Sequence, residues 1–178
     1  DEIKQLLIEH TIDIHANNEW AFVSACWSGN IPTIKFLLEY AVSVNSPINI
    51  HVCHERGFTC ACMRGNILII KFLLEYAISI NSPIDIHADV EQGFACACWR
   101  NSTSVAKFLL EYATSINSPI DIHVNNNIAF KQACDNNNAE MIQLLIDEAM
   151  FTSIRYLYDQ YNKTGYIFNS DFTLDTPD

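Results

Sequence analysis

The chain has 178 residues, of which 49% are hydrophobic and 17% charged, and its formal net charge is −11. This length suits one globular domain or four to five small repeats. The acidic balance argues against nucleic-acid partners and against polybasic membrane binding, because both need clustered Lys and Arg. No apolar run approaches the roughly 20 residues of a membrane span. We therefore expect no nucleic-acid partner and no membrane partner.

The first residues have the spacing of a second helix that lacks its first. Ile3, Leu6, Leu7 and Ile8 recur at helical intervals, no helix pattern precedes them, and the chain does not begin with Met. Such an apolar stripe needs a neighbouring element to cover it. We therefore expect a fragment of a longer protein, with at least one further repeat upstream.

A period of 36 residues organises the chain. Ile-x-Ile-His recurs from positions 12, 48, 84 and 120, Phe-x-x-Ala-Cys from 22, 58, 94 and 130, and Lys-Phe-Leu-Leu-Glu-Tyr from 35, 71 and 107. Separate blocks that share one period indicate a repeat architecture. The period predicts an array over residues 1–149, with a partial repeat over 1–11 and repeats that start near 12, 48, 84 and 120.

Each repeat has the pattern of two helices and a loop. Phe22, Ala25 and Cys26 share one face of a first helix predicted over residues 21–28, and a second helix is predicted over 31–40. Between them, Gly or Asn predicts a left-handed C-cap and Asn or Ser predicts an N-cap. The C-cap positions are Gly29, Gly65, Asn101 and Asn137, and the N-cap positions are Asn30, Asn66, Ser102 and Asn138. Asn-Ser-Pro then predicts a turn, and Ile-x-Ile-His predicts an extended, strand-like arm.

These blocks resemble the ankyrin repeat. Ala25-Cys26-Trp27-Ser28-Gly29-Asn30 and Ile34-Lys35-Phe36-Leu37-Leu38-Glu39 are similar to the Ala-Ala-x-x-Gly-His and Val-x-x-Leu-Leu patterns of that family. The resemblance covers roughly residues 1–149. It implies an all-α fold, an ankyrin-type solenoid of stacked helix-turn-helix repeats joined by extended loops.

The chain departs from the family pattern in two main ways. Trp20-Ala21-Phe22-Val23 stands where the family has Thr-Pro-Leu-His, and the period is 36 rather than the usual 33 residues. This 36-residue variant is similar to the ankyrin arrays of large DNA viruses that infect amoebae. After the array, over residues 150–178, we predict a capping helix near 154–161 and then a flexible acidic tail.

The seven cysteines are predicted to be reduced. Residues 36 apart in stacked helices, which lie about 10 Å from one another, would be too distant for a disulfide, which needs Cα atoms within about 7 Å. We expect the cysteines to be small residues of the core. Reduced cysteines also favour an intracellular protein, in the cytoplasm or nucleus, which includes the host cell of a virus. His51, Cys53, His54, Cys60 and Cys62 leave zinc as a minor alternative, but Cys60 and Cys62 point to different helix faces. The main expectation is no metal and no cofactor.

Nothing in the sequence indicates catalysis. His15, His51, His87 and His123 recur once per repeat, as hydrogen-bonding loop residues would. A Gly-rich phosphate loop, Gly-x-Ser-x-Gly and His-Glu-x-x-His are all missing from the sequence. We therefore expect neither an enzyme nor a small-molecule substrate.

The most variable positions follow the Ala-Cys pair, and the resemblance implies that they face the concave groove of the array. The predicted partner-binding residues are Trp27, Ser28, Met63, Arg64, Trp99, Arg100 and Asp135. Trp and Arg are typical of binding hot spots, although the rings would alternatively only cover a neighbouring element. Glu19, Glu55 and Glu91 either form an acidic edge of the same surface or only favour the helix N-termini.

The expected function is therefore a protein–protein interaction scaffold. Two alternatives remain at this point. One is the substrate-recruiting arm of a ubiquitin ligase or of a similar host-directed complex, and the other is a metal- or redox-responsive thiol protein.

Overall fold

The computed structural model describes residues 13–149, 167–168 and 174–175. The predicted partial repeat over 1–11 and the predicted capping helix near 154–161 lie outside the described residues, as does most of the predicted tail. The chain divides into two compact units, with the boundary between Asp89 and Val90. We call them unit 1 and unit 2.

Helices joined by turns make up the described stretch 13–149. In chain order they are α1 (Ala16–Ser28), α2 (Ile31–Ser43), α3 (Val52–Met63), α4 (Ile67–Ser79), α5 (Ala88–Trp99), α6 (Thr103–Ser115), α7 (Val124–Asp135) and α8 (Ala139–Ala149). The odd-numbered helices are the first helices of the repeats, and the even-numbered helices are the second. Near the C-terminus, β1 (Ile167–Phe168) pairs antiparallel with β2 (Leu174–Asp175), with Ile167 opposite Asp175. The all-α prediction is confirmed for residues 13–149.

The junction inside each helix pair follows the caps predicted from the sequence. Left-handed φ angles of 81°, 69°, 63° and 52° occur at the predicted C-caps, Gly29, Gly65, Asn101 and Asn137. Asn30, Asn66 and Asn138 then accept hydrogen bonds from the backbone N–H groups three residues on, at 3.1, 3.2 and 3.0 Å. The N-cap prediction is wrong in one respect: the Ser102 side chain makes no capping hydrogen bond.

The first helices begin earlier than predicted, because a short left-handed turn precedes each right-handed stretch. Asn17, Asn18 and Glu19 have φ angles of 54–58°, and the equivalent residues of the other repeats share this conformation. For residues other than Gly it costs roughly 1–2 kcal/mol each. The turn directs the third residue, Glu19 in α1, into the protein, where it is buried. The second helices extend beyond the predicted residue 40, to Ser43 in α2.

The Ile-x-Ile-His stretch forms no strand, so that prediction is wrong. In unit 1, Ile48 and Ile50 are both buried, and His51 follows in a turn rather than an extended arm. The side chain of Asn49 accepts a 3.0 Å hydrogen bond from the N–H of His51. An Asx turn of this kind gives the backbone a partner other than a neighbouring strand.

Close helix packing forms the core of unit 1. α1 packs on α3, with Phe22, Phe58 and Cys26 buried between the elements. A Cβ atom on Gly57 would lie 2.7 Å from Cε1 of Phe22, closer than real contacts allow. The absence of a side chain at Gly57 therefore lets the ring of Phe22 pack directly against α3.

Unit 2 has its own core. α8 packs on α6 and α7, and it buries Met141, Ile142 and Leu145 completely. The thiol of Cys98 lies 3.8 Å from the sulfur of Met141. Within the described residues, each helix is too short or too polar to cross a bilayer.

Candidate functional site

In unit 1, the end of α1 and the end of α3 bring an indole and a guanidinium group together. Trp27 remains 41% exposed, and the Cζ atom of Arg64 lies 5.2 Å from the centre of its ring. This is a cation–π arrangement, which contributes roughly 0.5–1 kcal/mol at an exposed site. Met63 is half-buried beside Arg64, and Ser28 is exposed while its hydroxyl donates to the carbonyl of Ala25.

Unit 2 has a similar pair at the end of α5. Trp99 is 52% exposed, and the guanidinium carbon of Arg100 lies 5.5 Å from its ring centre. The side-chain amide of Asn136 donates a 3.2 Å hydrogen bond to the carbonyl of Trp99, which joins the ends of α5 and α7. Asp135 is exposed beside it. Each unit thus carries an exposed Trp with an Arg over its ring.

Two exposed residues of unit 1 were missed by the sequence analysis. Trp20 is 58% exposed at the start of the right-handed part of α1, and Arg56 is exposed at the equivalent position of α3. Trp20 and Trp27 are seven residues apart, so they lie on one face of the helix. The seven-residue spacing could have predicted that Trp20 is exposed beside Trp27, because variable positions at the start of the helix share a face with those at its end.

The three predicted glutamates form part of an internal hydrogen-bond network, and the interpretation as an acidic edge is wrong. Glu19, Glu55 and Glu91 are 7%, 5% and 5% exposed. In the first repeat, the carboxylate of Glu19 lies 3.0 Å from Nδ1 of His15 and accepts a 3.0 Å hydrogen bond from the N–H of Asn49. Nε2 of His15 is 3.0 Å from the hydroxyl of Ser46. A buried carboxylate without such partners would cost several kcal/mol.

The second repeat contains the same contacts through Oε1 of its glutamate, while Oε2 of Glu55 is buried without a hydrogen-bond partner. Oε1 of Glu55 lies 2.7 Å from Nδ1 of His51 and accepts a 3.1 Å hydrogen bond from the N–H of Asp85. Nε2 of His51 is 2.8 Å from the hydroxyl of Ser82. Each His–Glu pair therefore ties its own first helix to the loop of the next repeat. We call this arrangement the loop clamp.

Unit 2 contains one further glutamate that bonds the next loop and one variation of the loop clamp. Glu91 accepts a 3.1 Å hydrogen bond from the N–H of Asp121. In the following repeat Asn127 occupies the glutamate position, with its Oδ1 2.7 Å from Nδ1 of His123. The prediction that the repeated histidines are hydrogen-bonding loop residues is confirmed for these contacts.

The loop clamp has the order of atoms of a serine hydrolase triad, with a hydroxyl, an imidazole and a carboxylate in a row. The surroundings of Ser82 do not complete such a site. Its own N–H donates to the carbonyl of Ala77, Pro83 has no N–H, and the N–H of Asp85 donates to Glu55. No adjacent pair of amides is left beside the hydroxyl to stabilise an oxyanion. The geometry therefore favours a structural role.

The cysteines are free, and six of the seven are buried. Burial, with a smaller contribution from neighbouring Cys60, raises the pKa of Cys26 to about 12. Burial next to Cys96 does the same for the pKa of Cys98. Thiols in this state are poor nucleophiles, because the thiolate is the reactive form. Cys53 is the exposed one.

Among the described residues, no three His, Cys, Asp or Glu side chains lie together so as to hold a metal ion. Cys53 is exposed while Cys60 and Cys62 are buried. The zinc alternative gains no support from this arrangement.

Comparison with known proteins adds no relative from which a function could be inferred. No family model matches the chain, and no curated protein is similar to it in sequence.

Proposed function

We propose that the protein is an ankyrin-type interaction scaffold without enzymatic activity, which binds another protein through the exposed ends of its first helices. The observation that carries the proposal is the exposed Trp with an Arg over its ring in each unit, at Trp27 and Trp99. Exposed Trp and Arg side chains dominate the binding energy of many interfaces. Because the helices beneath them are packed, these side chains are already in position before a partner arrives.

The ankyrin-type assignment is supported by the recurring local geometry. Each described repeat has a short helix, a left-handed cap and a second helix, as the 36-residue period requires. The loop clamps join each repeat to the next, as expected of repeats that depend on their neighbours for stability. The free thiols are compatible with a reducing compartment such as the cytoplasm or nucleus.

The binding role is tested by replacing Trp27 and Trp99 with Ala in the complete protein and measuring affinity for a partner isolated by pull-down. We expect each replacement to weaken binding by about 30-fold or more, since hot-spot residues contribute about 2 kcal/mol or more. Leu68→Ala and Ile116→Ala are matched controls, because both residues are large, apolar and exposed, Leu68 on α4 and Ile116 directly after α6. Unchanged affinity in both Trp variants, with the helical circular dichroism intact, would rule the proposal out.

The absence of enzymatic activity needs its own test, because the loop clamp resembles a triad. We expect purified protein to hydrolyse p-nitrophenyl acetate no faster than the variant with Ser46→Ala and Ser82→Ala. Ester hydrolysis by the unchanged protein that disappears in the double variant would show that the loop clamps are catalytic.

A further inference from the structure

The charges of unit 1 are segregated between its elements. The right-handed stretches of the first helices, residues 20–28 and 56–64, contain Arg56 and Arg64 and no Asp or Glu. The glutamates that precede them, Glu19 and Glu55, are buried. The first-helix surface of this unit, formed by Trp20, Trp27, Arg56, Met63 and Arg64, is therefore locally positive in a chain of net charge −11.

Both arginines of this surface are available to a partner. Arg56 and Arg64 are exposed, and the ion pairs of Glu19 and Glu55 are with His15 and His51 rather than with either arginine. Arg64 lies over the ring of Trp27, and stacking on an indole leaves the edge of a guanidinium group free to donate. That edge matches a carboxylate bidentately.

The apolar part of the surface is equally unoccupied. Trp20 and Trp27 are 58% and 41% exposed. Met63, which precedes Arg64 in the chain, is half-buried, and Met adapts its shape to different partners. An occupant with both apolar and acidic side chains would therefore satisfy the whole surface.

We propose that the first-helix surface of unit 1 binds an acidic peptide segment of a partner protein, with carboxylates on Arg56 and Arg64 and a large apolar side chain against Trp27. This inference rests on the proposed function and names the chemistry of its partner. A basic segment would be repelled by the two arginines, and it would find no exposed carboxylate on residues 20–28 or 56–64. A nucleic acid would have to approach a chain that carries eleven net negative charges.

The spacing of the arginines limits the sequence of the segment. Arg56 lies in α3 and Arg64 is the C-cap of the same helix, eight residues further on, which corresponds to a rise of about 12 Å. An extended peptide advances about 3.4 Å per residue. Two acidic residues three or four positions apart, with a large apolar residue between them, would therefore reach both guanidinium groups.

The test begins with the complete chain immobilised and a phage-displayed library of random dodecapeptides as the probe. We expect enrichment of peptides with Asp or Glu three or four positions apart around Leu, Phe or Trp. Enrichment of basic peptides, or no enrichment, would overturn the inference.

The enriched peptide is then synthesised and titrated by fluorescence anisotropy against variants. We expect R56E/R64E to weaken binding by about 30-fold or more, and R56Q/R64Q to weaken it less but in the same direction. The control is K35E/K107E, whose lysines lie exposed on second helices. Each Lys or Arg to Glu change lowers the charge by two, so both double variants reach the same net charge. We expect the control to remain within about threefold of wild type, because neither lysine belongs to the first-helix surface and interactions between exposed charges are weakened by salt.

The outcomes separate this inference from the proposed function. If Trp27→Ala weakens peptide binding while R56E/R64E and R56Q/R64Q leave it unchanged, the acidic partner is refuted and the scaffold stands. If neither change matters, both fail. A twelve-nucleotide oligothymidylate that bound more tightly than the peptide, and lost its binding in R56Q/R64Q, would assign the surface to single-stranded nucleic acid and overturn the proposal.

Discussion

From the first complete repeat to the second, the loops stay the same while the ends of the first helices change. His15 and Glu19 recur as His51 and Glu55 with the same hydrogen bonds, whereas Trp27-Ser28 becomes Met63-Arg64. The repeated side chains are buried or bonded to the next loop, and the variable ones are largely exposed. Positions that repeat therefore hold the protein together, and positions that vary are free to determine what it binds. Substitutions at repeated positions should therefore lower stability more than substitutions at variable positions.

The largest contrast should appear in thiol reactivity. Cys53 is exposed in a column that varies, whereas Cys26, Cys62, Cys98 and Cys134 form a buried column that repeats. We expect one fast thiol and six slow ones with a mild disulfide reagent at pH 8, with rates at least about a thousandfold apart, because buried thiols need local opening. Cys53→Ser should abolish the fast phase. A second fast thiol would contradict the division into repeated core and variable surface.

Glu55→Ala should cause the largest loss of stability. It leaves Nδ1 of His51 and the N–H of Asp85 without their buried acceptor. We expect the free energy of unfolding to fall by about 3 kcal/mol, measured by urea denaturation.

Two controls make that measurement specific. Glu75 is an exposed glutamate on α4, and Glu75→Ala should change stability by less than about 0.5 kcal/mol. Asn127→Ala should cost about 1 kcal/mol, because Asn127 makes a single described side-chain hydrogen bond, to His123. Equal losses in Glu55→Ala and Glu75→Ala would show that the loop clamp contributes nothing.

The helix caps provide a smaller contrast between the two units. Asn66 accepts a hydrogen bond from the N–H of Ile69, whereas the side chain of Ser102 makes no capping bond. We expect Asn66→Ala to lower the free energy of unfolding by about 1 kcal/mol and Ser102→Ala to have little effect. The two denaturation curves are compared directly, and a larger loss from Ser102→Ala would reverse the assignment.

Trp27→Ala should have the smallest effect on stability. The ring is 41% exposed and its described aromatic contact is with the exposed Arg64. We expect a loss below about 1 kcal/mol in the same urea experiment. A loss as large as that of Glu55→Ala would mean that the ring is a packing residue, and that the variable positions are not free to serve binding.

Periodicity and capping residues were sufficient to predict most of the fold. The 36-residue period located both helices of each described repeat, and the Gly or Asn column located the left-handed cap between them. These features are local, so the sequence contains them directly. Trp27, Trp99 and the two arginines beside them were also predicted as exposed residues of the candidate site.

The loop clamp was beyond sequence reasoning for a physical reason. Its glutamate is buried only because three successive residues adopt left-handed angles, a conformation that Glu55 and Cys53 do not favour. The partner N–H of Asp85 lies 30 residues further along the chain. The recurrence of Glu19, Glu55 and Glu91 was visible in the sequence, but the backbone and the distant partner that explain their burial were not. The glutamates were therefore interpreted as an acidic edge or as residues that favour the helix N-termini. Ser102 illustrates a smaller failure, since a good capping residue does not always make the bond.

The loop clamp also limits how such a chain can lengthen during evolution or by engineering. Glu19 and Glu55 each find their second partner thirty residues downstream, at Asn49 and Asp85. A duplication that begins and ends at equivalent positions supplies every carboxylate with a new amide. A duplication of any other length would leave one carboxylate facing the wrong backbone atom, so growth is confined to whole multiples of the period.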